Sequence, residues 1–428
     1  MIVATKVKLY PNEKQKALLE KHFGSCRFVY NYFLAKRDEY YLTHKDAEKS
    51  SLNYFDTTNM LTELKKQYPW LYEVNAQSLQ MSLRFLDNAF KNFFHHNTEH
   101  PKFRKKGKND YFAVPQHIRI KGNRVCFPKF KEGLYFKGSE EKLSEIKEIN
   151  QIVVTKDAGD YYCSIIYEKE DNAPVKKPLS AENSVGIDLG VEKFATLSDG
   201  IAVENPRFVE KVEKRINKLQ KQLSRKRKGS KNREKLILKL QRKYRKLRNM
   251  REDFLDKVST AIAKRYDIII MENLKVQGMM RNHSVAKSLS DVSFYAFRLK
   301  LEWKATKYGK NLILIWRFDP SSRLCSNCGN LKKDLKLSDR IYRCEVCGLI
   351  IDRDYNASKN IRKIGLIKVG LVQPESTPVE TATSGLHGNP YTQMSVYEVG
   401  SSRLQAGVAH QTSWLPPRLP SFCTGTRC

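Results

Sequence analysis

The sequence predicts a multidomain α+β protein. A β-rich module interrupted by a helical insert comes first, and a β/α domain interrupted by a small cysteine-ligated unit follows. Three observations predict it. Helical apolar periodicity gives way to strand-like alternation near residue 101, a β/α pattern starts at Ser184, and two C-x-x-C pairs fall between a strand and a helix near residue 350.

Length and charge bound the reading. A chain of 428 residues corresponds to about three domains. Its 78 Lys and Arg face 46 Asp and Glu, a net charge of +32. Such a charge calls for a polyanionic partner, nucleic acid in the usual case and an anionic membrane in the rarer one. No apolar run approaches 18 residues, which argues against a membrane span, and the opening MIVATKVKLYPNEK has no apolar signal core. Of the nine cysteines, four sit in the two C-x-x-C pairs and the rest are scattered, a pattern suited to a reduced cytosol.

The elements follow in order. Residues 1–10 alternate as a strand. Pro11 opens a helical stretch to about residue 100, with aromatics and leucines at helical spacing, as in LQMSLRFLDNAFKNFF. HPKFRKKGKNDYF is basic and aromatic. IRIKGNRVCF and QIVVTKDAGDYYCSIIYE read as hairpins turning at Gly122-Asn123 and Ala158-Gly159. DNAPVKKPLSAEN (171–183) is a linker. Residues 211–250 carry 18 Lys and Arg against 2 Glu, half the net charge of the chain, with apolar stripes broken at Gly229-Ser230. This predicts a basic helical hairpin. A solvated charged face is the plainer reading, but such a face mixes in acids for i,i+4 pairs, and here acids are nearly absent, which favours phosphate contact. Residues 367–428, rich in Ser, Thr, Gly and Pro, are expected to be disordered.

The strongest chemical signal is CSNCG…CEVCG. Cys325, Cys328, Cys344 and Cys347 are spaced for a four-thiolate zinc site, with Gly329 and Gly348 where each knuckle needs backbone room. Redox pairs are the competing reading. A fully sulfur-ligated zinc is structural, with no open position for chemistry. A second signal is dispersed. Asp188 lies in the strand SVGIDLG, Glu272 ends the apolar strand DIIIME, and IIDRDYNASKN offers Asp352 and Asp354. Each alone could be a helix cap. Together in a basic β/α chain they can hold two Mg²⁺ for phosphodiester cleavage, and a shared cation explains how two aspartates sit so close.

The segments YPNEKQKALLEKHFGSCRFVYN, GIDLG, MENLKVQGMMRN with AKSLSDVSF, PSSRLCSNCG, CEVCG and DRDYNASKNI, in this order over roughly residues 1–366, resemble the TnpB (OrfB-type) proteins of insertion sequences, relatives of the type V CRISPR effectors. The resemblance implies an RNase H-like (RuvC) α/β nuclease with an inserted zinc ribbon, preceded by a β-barrel wedge domain with a helical recognition insert. It assigns residues 1–10 plus 101–180 to the wedge, 11–100 to recognition, 181–320 plus 351–366 to the nuclease and 321–350 to the ribbon. It implies Asp188, Glu272 and Asp354, rather than Asp352, as the catalytic triad, two catalytic Mg²⁺, one structural Zn²⁺, a guide RNA from the element's end and double-stranded target DNA cut beside a short motif. The setting it implies is the prokaryotic cytoplasm and nucleoid.

Nucleic-acid contacts are expected at Arg225, Lys226, Arg227 and Lys228, and at Arg281 in the basic, lid-like segment 275–288, where Asn282 and His283 could also touch the scissile phosphate or be solvated. Three other functions compete. An unguided structure-specific nuclease would not need the 180 residues before the β/α domain. A non-catalytic zinc-ribbon regulator would not need the carboxylates. A strand-joining transposase could use the same triad and is separable only by its products. The last stretch, SWLPPRLPSFCTGTRC, matches nothing in the family.

Overall fold

The computed structural model describes residues 2–48, 50–138, 146, 148–169, 174–274, 293–336 and 338–373. The segment 275–292, with Arg281, Asn282 and His283, and nearly all of the C-terminal tail lie outside the described residues.

The first module is built around one strand and one long helix. Strand β1 (Ile2–Leu9) leads to Asn12, which starts helix α1 (Glu13–Thr43) with a capping box: its side chain accepts from the Gln15 N–H, and the Gln15 side chain accepts from the Asn12 N–H. Asn53 and Asp56 repeat the device at α2 (Tyr54–Gln67), and Asn75 caps α3 (Ala76–Phe94). The apolar stripe Leu19, Phe23, Cys26, Tyr30 and Phe33 turns α1 inward at helical spacing.

It packs on an antiparallel sheet of β2 (Asp110–Val114), β6 (Ile149–Asp157), β7 (Asp160–Glu168) and β1, in the order β1-β7-β6-β2. The strands β3 (Arg119–Lys121), β4 (Arg124–Phe127) and β5 (Phe130–Tyr135) form a second sheet. A bridge between Leu9 and Phe136, with the Tyr10 N–H donating to the Tyr135 carbonyl at 2.8 Å, ties it to β1. The β6–β7 hairpin turns through Ala158 and Gly159, both at positive φ (49° and 84°), the twist that a two-residue hairpin favours.

The second module is a five-stranded sheet of β8 (Ser184–Leu189), β9 (Lys193–Leu197), β10 (Ala202–Glu204), β11 (Ile268–Glu272) and β12 (Asn311–Ile315), in the order β10-β9-β8-β11-β12. The first three strands are antiparallel neighbours, while β8, β11 and β12 run parallel. Parallel neighbours need crossovers, and the helices supply them: α4 (Phe208–Ser224) and α5 (Lys231–Arg265) precede β11, and α6 (Phe294–Tyr308) precedes β12. The α4–α5 pair extends beyond 211–250 at both ends, because apolar residues of α5 such as Leu255 and Ile262 continue into the core.

After β12 the chain leaves the sheet for a two-stranded unit, β13 (Ile341–Arg343) and β14 (Ile350–Asp352), and returns as α7 (Arg353–Lys368). Just beyond α7, Leu371 and Val372 still pack on the core formed by Ile268, Ile270, Ile315, Ile361 and Leu366.

Candidate functional site

Two glycines bring α7 onto the sheet without a gap. A Cβ on Gly186 of β8 would lie 2.1 Å from the Ser358 carbonyl oxygen, and one on Gly365 would lie 2.3 Å from Ile270 Cγ2 of β11. Side chains two apart on a strand share a face. Asp188 therefore points to the α7 side with Gly186, and Glu272 does so with Ile270. On α7, Asp354 sits one turn before Ser358. Since Ile270 pairs with Gly186 across the parallel ladder, Asp188 and Glu272 lie side by side at the carboxyl ends of β8 and β11, where open α/β sheets gather ligands.

The electrostatics record this convergence. Asp188 keeps some accessible surface, yet burial first, then the carboxylates of Glu272 and Asp354, push its carboxyl up to about 8, with Arg353 opposing. Burial also raises Glu272, against a hydrogen bond from Ser321 Oγ to Glu272 Oε1. Arg353 Nη2 lies 3.3 Å from Asp354 Oδ1. Asp352 behaves differently. Burial works against its charge, but the Tyr355 N–H at 2.9 Å and Lys193 at 3.2 Å hold its carboxyl below the usual range. It is the N-cap of α7, and each of its oxygens already has a partner.

The cysteine quartet forms two copies of one turn. Cys325 and Cys344 accept from the Gly329 and Gly348 N–H groups, both at 3.0 Å, and donate their own N–H groups to Asn330 and Leu349, both at 2.9 Å. Both glycines have φ above +70°, the left-handed region that a side chain disfavours. The four sulfurs lie within 4.8 Å of one another, with Cys325–Cys347 at 3.5 Å and Cys328–Cys344 at 3.6 Å. Zn–S bonds of about 2.3 Å in a tetrahedron put sulfurs about 3.8 Å apart, so the donor set and its spacing fit a structural zinc ion. The Leu349 N–H holds the Cys347 thiol low and Cys344 is lowered too, whereas burial raises Cys325, and, against the Asn330 N–H, burial and the neighbouring sulfurs raise Cys328, so the four crowded sulfurs hold protons unevenly until a cation replaces them.

Residues that sequence reasoning passed over join this unit to the carboxylates. Asn356 Nδ2 donates to the Leu324 carbonyl at 2.7 Å while its Oδ1 accepts from the Ser326 N–H at 2.9 Å. Asn360 Nδ2 donates to the carbonyls of Leu324 (2.7 Å) and Ser321 (2.8 Å), and Ser321 bonds Glu272. Two asparagines four apart, both buried on α7, were the available signal.

The expected phosphate contacts divide. Arg225, Lys226, Arg227 and Lys228 form the exposed tip between α4 and α5. Farther along α5, Arg245 donates to the Asp157 carbonyl at 2.7 Å and pairs with Asp160 at 2.5 Å, and Arg248 pairs with Asp157, so these cations hold the β6–β7 turn.

A mixed α/β protein with a cysteine ribbon between its last strand and last helix is the class that fold and site define. Family profiles agree along its length. One described as "Probable transposase" matches residues 164–283, one described as "Cas12f1-like, TNB domain" matches 294–361, and one described as "Helix-turn-helix domain" matches 1–46, where the structure has β1 and the single long helix α1.

A "Putative RNA-guided DNA endonuclease" of Streptomyces pristinaespiralis is 32% identical over 90% of this chain and 96% of its own length. "Putative RNA-guided DNA endonuclease InsQ" of Escherichia coli K12 is 33% identical over 85% of this chain and 92% of its own. The chain belongs to this family, the TnpB (OrfB) proteins of IS605-type elements. Among solved structures, a Cas12f1 chain determined with sgRNA and target DNA aligns over 85% of this chain and 98% of its own, at 14% identity and a TM-score of 0.46.

Proposed function

We propose that the protein is an RNA-guided DNA endonuclease of a transposable element, which hydrolyses phosphodiester bonds at guide-matched sites next to a short DNA motif. One observation carries the reading: three carboxylates from β8, β11 and α7 meet at one sheet end in a chain of charge +32. The names of its relatives point the same way.

In this reading Asp188, Glu272 and Asp354 are the catalytic triad. The order β10-β9-β8-β11-β12, antiparallel then parallel, supports an RNase H-like (RuvC) nuclease domain, and the Leu9–Phe136 bridge supports a barrel-like wedge around the helical recognition insert.

The three carboxylates fit divalent cations. Burial and then the carboxylates of Glu272 and Asp354 disfavour the charged form of Asp188, which takes up a proton near neutral pH unless positive charge arrives. A pair of ions about 4 Å apart is the usual occupant of such a carboxylate trio. When bound, two Mg²⁺ would activate a water and steady the leaving oxygen. Ser321 fixes Glu272 through Oε1. Arg353 holds Asp354 beside the sheet and adds positive charge where a phosphate would approach. Helix α7 braces Ser321, at the entry to the ribbon and its one structural Zn²⁺, through Asn360. The exposed α4–α5 tip and Arg281 would grip phosphates of guide RNA or heteroduplex, while base pairing carries the sequence information. The work would take place in the prokaryotic cytoplasm, on nucleoid DNA; among the described residues no helix is long and apolar enough to cross a membrane.

The test is to express the protein with its element's flanking DNA. A defined RNA should co-purify and survive moderate salt. DNA matching the 3′ part of that RNA, beside a short motif, should suffer a double-strand break that moves when the guide segment is changed. RNA-free protein cutting branched DNA equally well would establish an unguided nuclease instead. A matched complex that binds but never cuts with Mg²⁺ would establish a regulator.

A further inference from the structure

Beyond the carboxylate site, the loop that follows β12 displays two large aromatic side chains. Trp316 is 57% exposed and Phe318 is 60% exposed. Their ring centroids are 4.7 Å apart at 72°, and the Arg317 guanidinium lies 4.3 Å from the Phe318 centroid. The loop is fixed: the Trp316 N–H donates to Asp319 Oδ2 at 2.8 Å, and the Asp319 N–H returns to the Trp316 carbonyl at 3.1 Å.

It is also tied to the site at both ends. Ile315, just before it, pairs with Glu272, and the Asn273 N–H donates to the Ile315 carbonyl at 3.1 Å. Ser321, just after it, bonds Glu272. Trp316 therefore follows directly on Ile315, the last residue of β12 and the ladder partner of Glu272.

We propose that Trp316 and Phe318, with Arg317, form a stacking platform for an unpaired nucleobase of the strand whose phosphate lies at the carboxylates. The proposal rests on the nuclease reading. A phosphate drawn to metal ions at Glu272 carries its sugar and base into the space beside β12. Two rings and a guanidinium suit a base face. Every base has such a face, so the contact tolerates any sequence, as a guide-directed enzyme requires. The cation on the Phe318 ring adds attraction for the flanking phosphate. The platform selects single-stranded over paired DNA, because a base inside a duplex has no free face to offer.

The test uses the full chain with its RNA and Ca²⁺ in place of Mg²⁺, so that binding is read without cutting. Single-stranded DNA carrying 2-aminopurine at successive positions is the probe. Stacking should quench its fluorescence at one or two adjacent positions. Trp316→Ala with Phe318→Ala should abolish the quenching, and Trp316→Tyr with Phe318→Tyr should keep most of it, which guards against a mere folding defect. With Mg²⁺, the alanine pair should raise KM for the single strand about ten-fold or more and change kcat less. Absence of quenching at every position in the unaltered protein, or quenching indifferent to both alanines, would overturn the platform. Quenching present in a protein that never cuts would leave the platform standing and sink the nuclease reading instead.

Discussion

Gly186 and Ser358 touch as closely as a strand and a helix can, since any side chain at 186 would overlap the Ser358 carbonyl. This contact sets where Asp354 meets Asp188.

It follows that Asp188→Ala, Glu272→Ala and Asp354→Ala should each lower Mg²⁺-dependent cutting by about three orders of magnitude, because the three act as a unit. DNA binding should stay near normal, since losing a negative charge does not weaken a grip on a polyanion. Asp352→Ala should instead cost about 1 kcal/mol of stability through the lost cap of α7 and leave most activity. Cleavage assays beside thermal melts decide it. A dead Asp352→Ala with an active Asp354→Ala would reverse the assignment.

Fresh protein should contain one zinc per chain. Structural zinc contributes on the order of 10 kcal/mol to a small module. Cys344→Ser, or a strong chelator, should therefore unfold the ribbon, release Ser321 and Asn360, and lower activity along with metal content. Elemental analysis finding no zinc would contradict this.

Reversing charge at Arg225, Lys226, Arg227 and Lys228 should weaken RNA or heteroduplex binding. It should also flatten the dependence of log K on log salt by about 3, four contacts at roughly 0.7–0.9 each. Changing Arg245 should act differently, by loosening the β6–β7 turn through Asp157 and Asp160. Salt titrations separate the two effects.

His22 gives a pH prediction. Its Nδ1–H donates to the Leu18 carbonyl at 2.8 Å, and its Nε2 accepts from the Asn75 N–H at 3.1 Å. Burial first lowers it to about 4; the Leu18 bond opposes this, and Lys129 adds to it. The unfolded chain takes up this proton near pH 6.5 and the folded one only near 4. Stability is therefore full above 6.5 and falls as pH drops towards 4, by about 3 kcal/mol. An NMR titration showing His22 protonating near 6.5 in the folded protein would refute it.

The local features were legible. Ala158-Gly159 sits at a tight turn, and the four cysteines lie at metal spacing and come together in space. Each depends on residues a few positions apart. What stayed hidden depends on partners far along the chain. No local pattern says that β1 pairs with β7, that Arg245 and Arg248 serve a β-turn, or that Ser321 hangs from Asn360. The choice of Asp354 over Asp352 came only from the family motif; its physical basis, one side chain reaching back to Lys193 and the Tyr355 N–H while the other joins Asp188, depends on distant partners.

The order of the parts along the chain bears on how the protein is made. Arg362 of α7 bonds Ser184 of β8 across 178 residues, and α7 is the final helix described. Translation delivers the first module early, and domains generally fold from the N-terminus as they emerge. The carboxylate trio waits for α7 to clear the ribosome. A message truncated between codons 273 and 353 yields a polypeptide with Asp188 and Glu272 but without the third carboxylate or the helix that covers Gly186. On the proposed mechanism such a shortened polypeptide keeps basic surface for nucleic acid but has no complete carboxylate site with which to cut it.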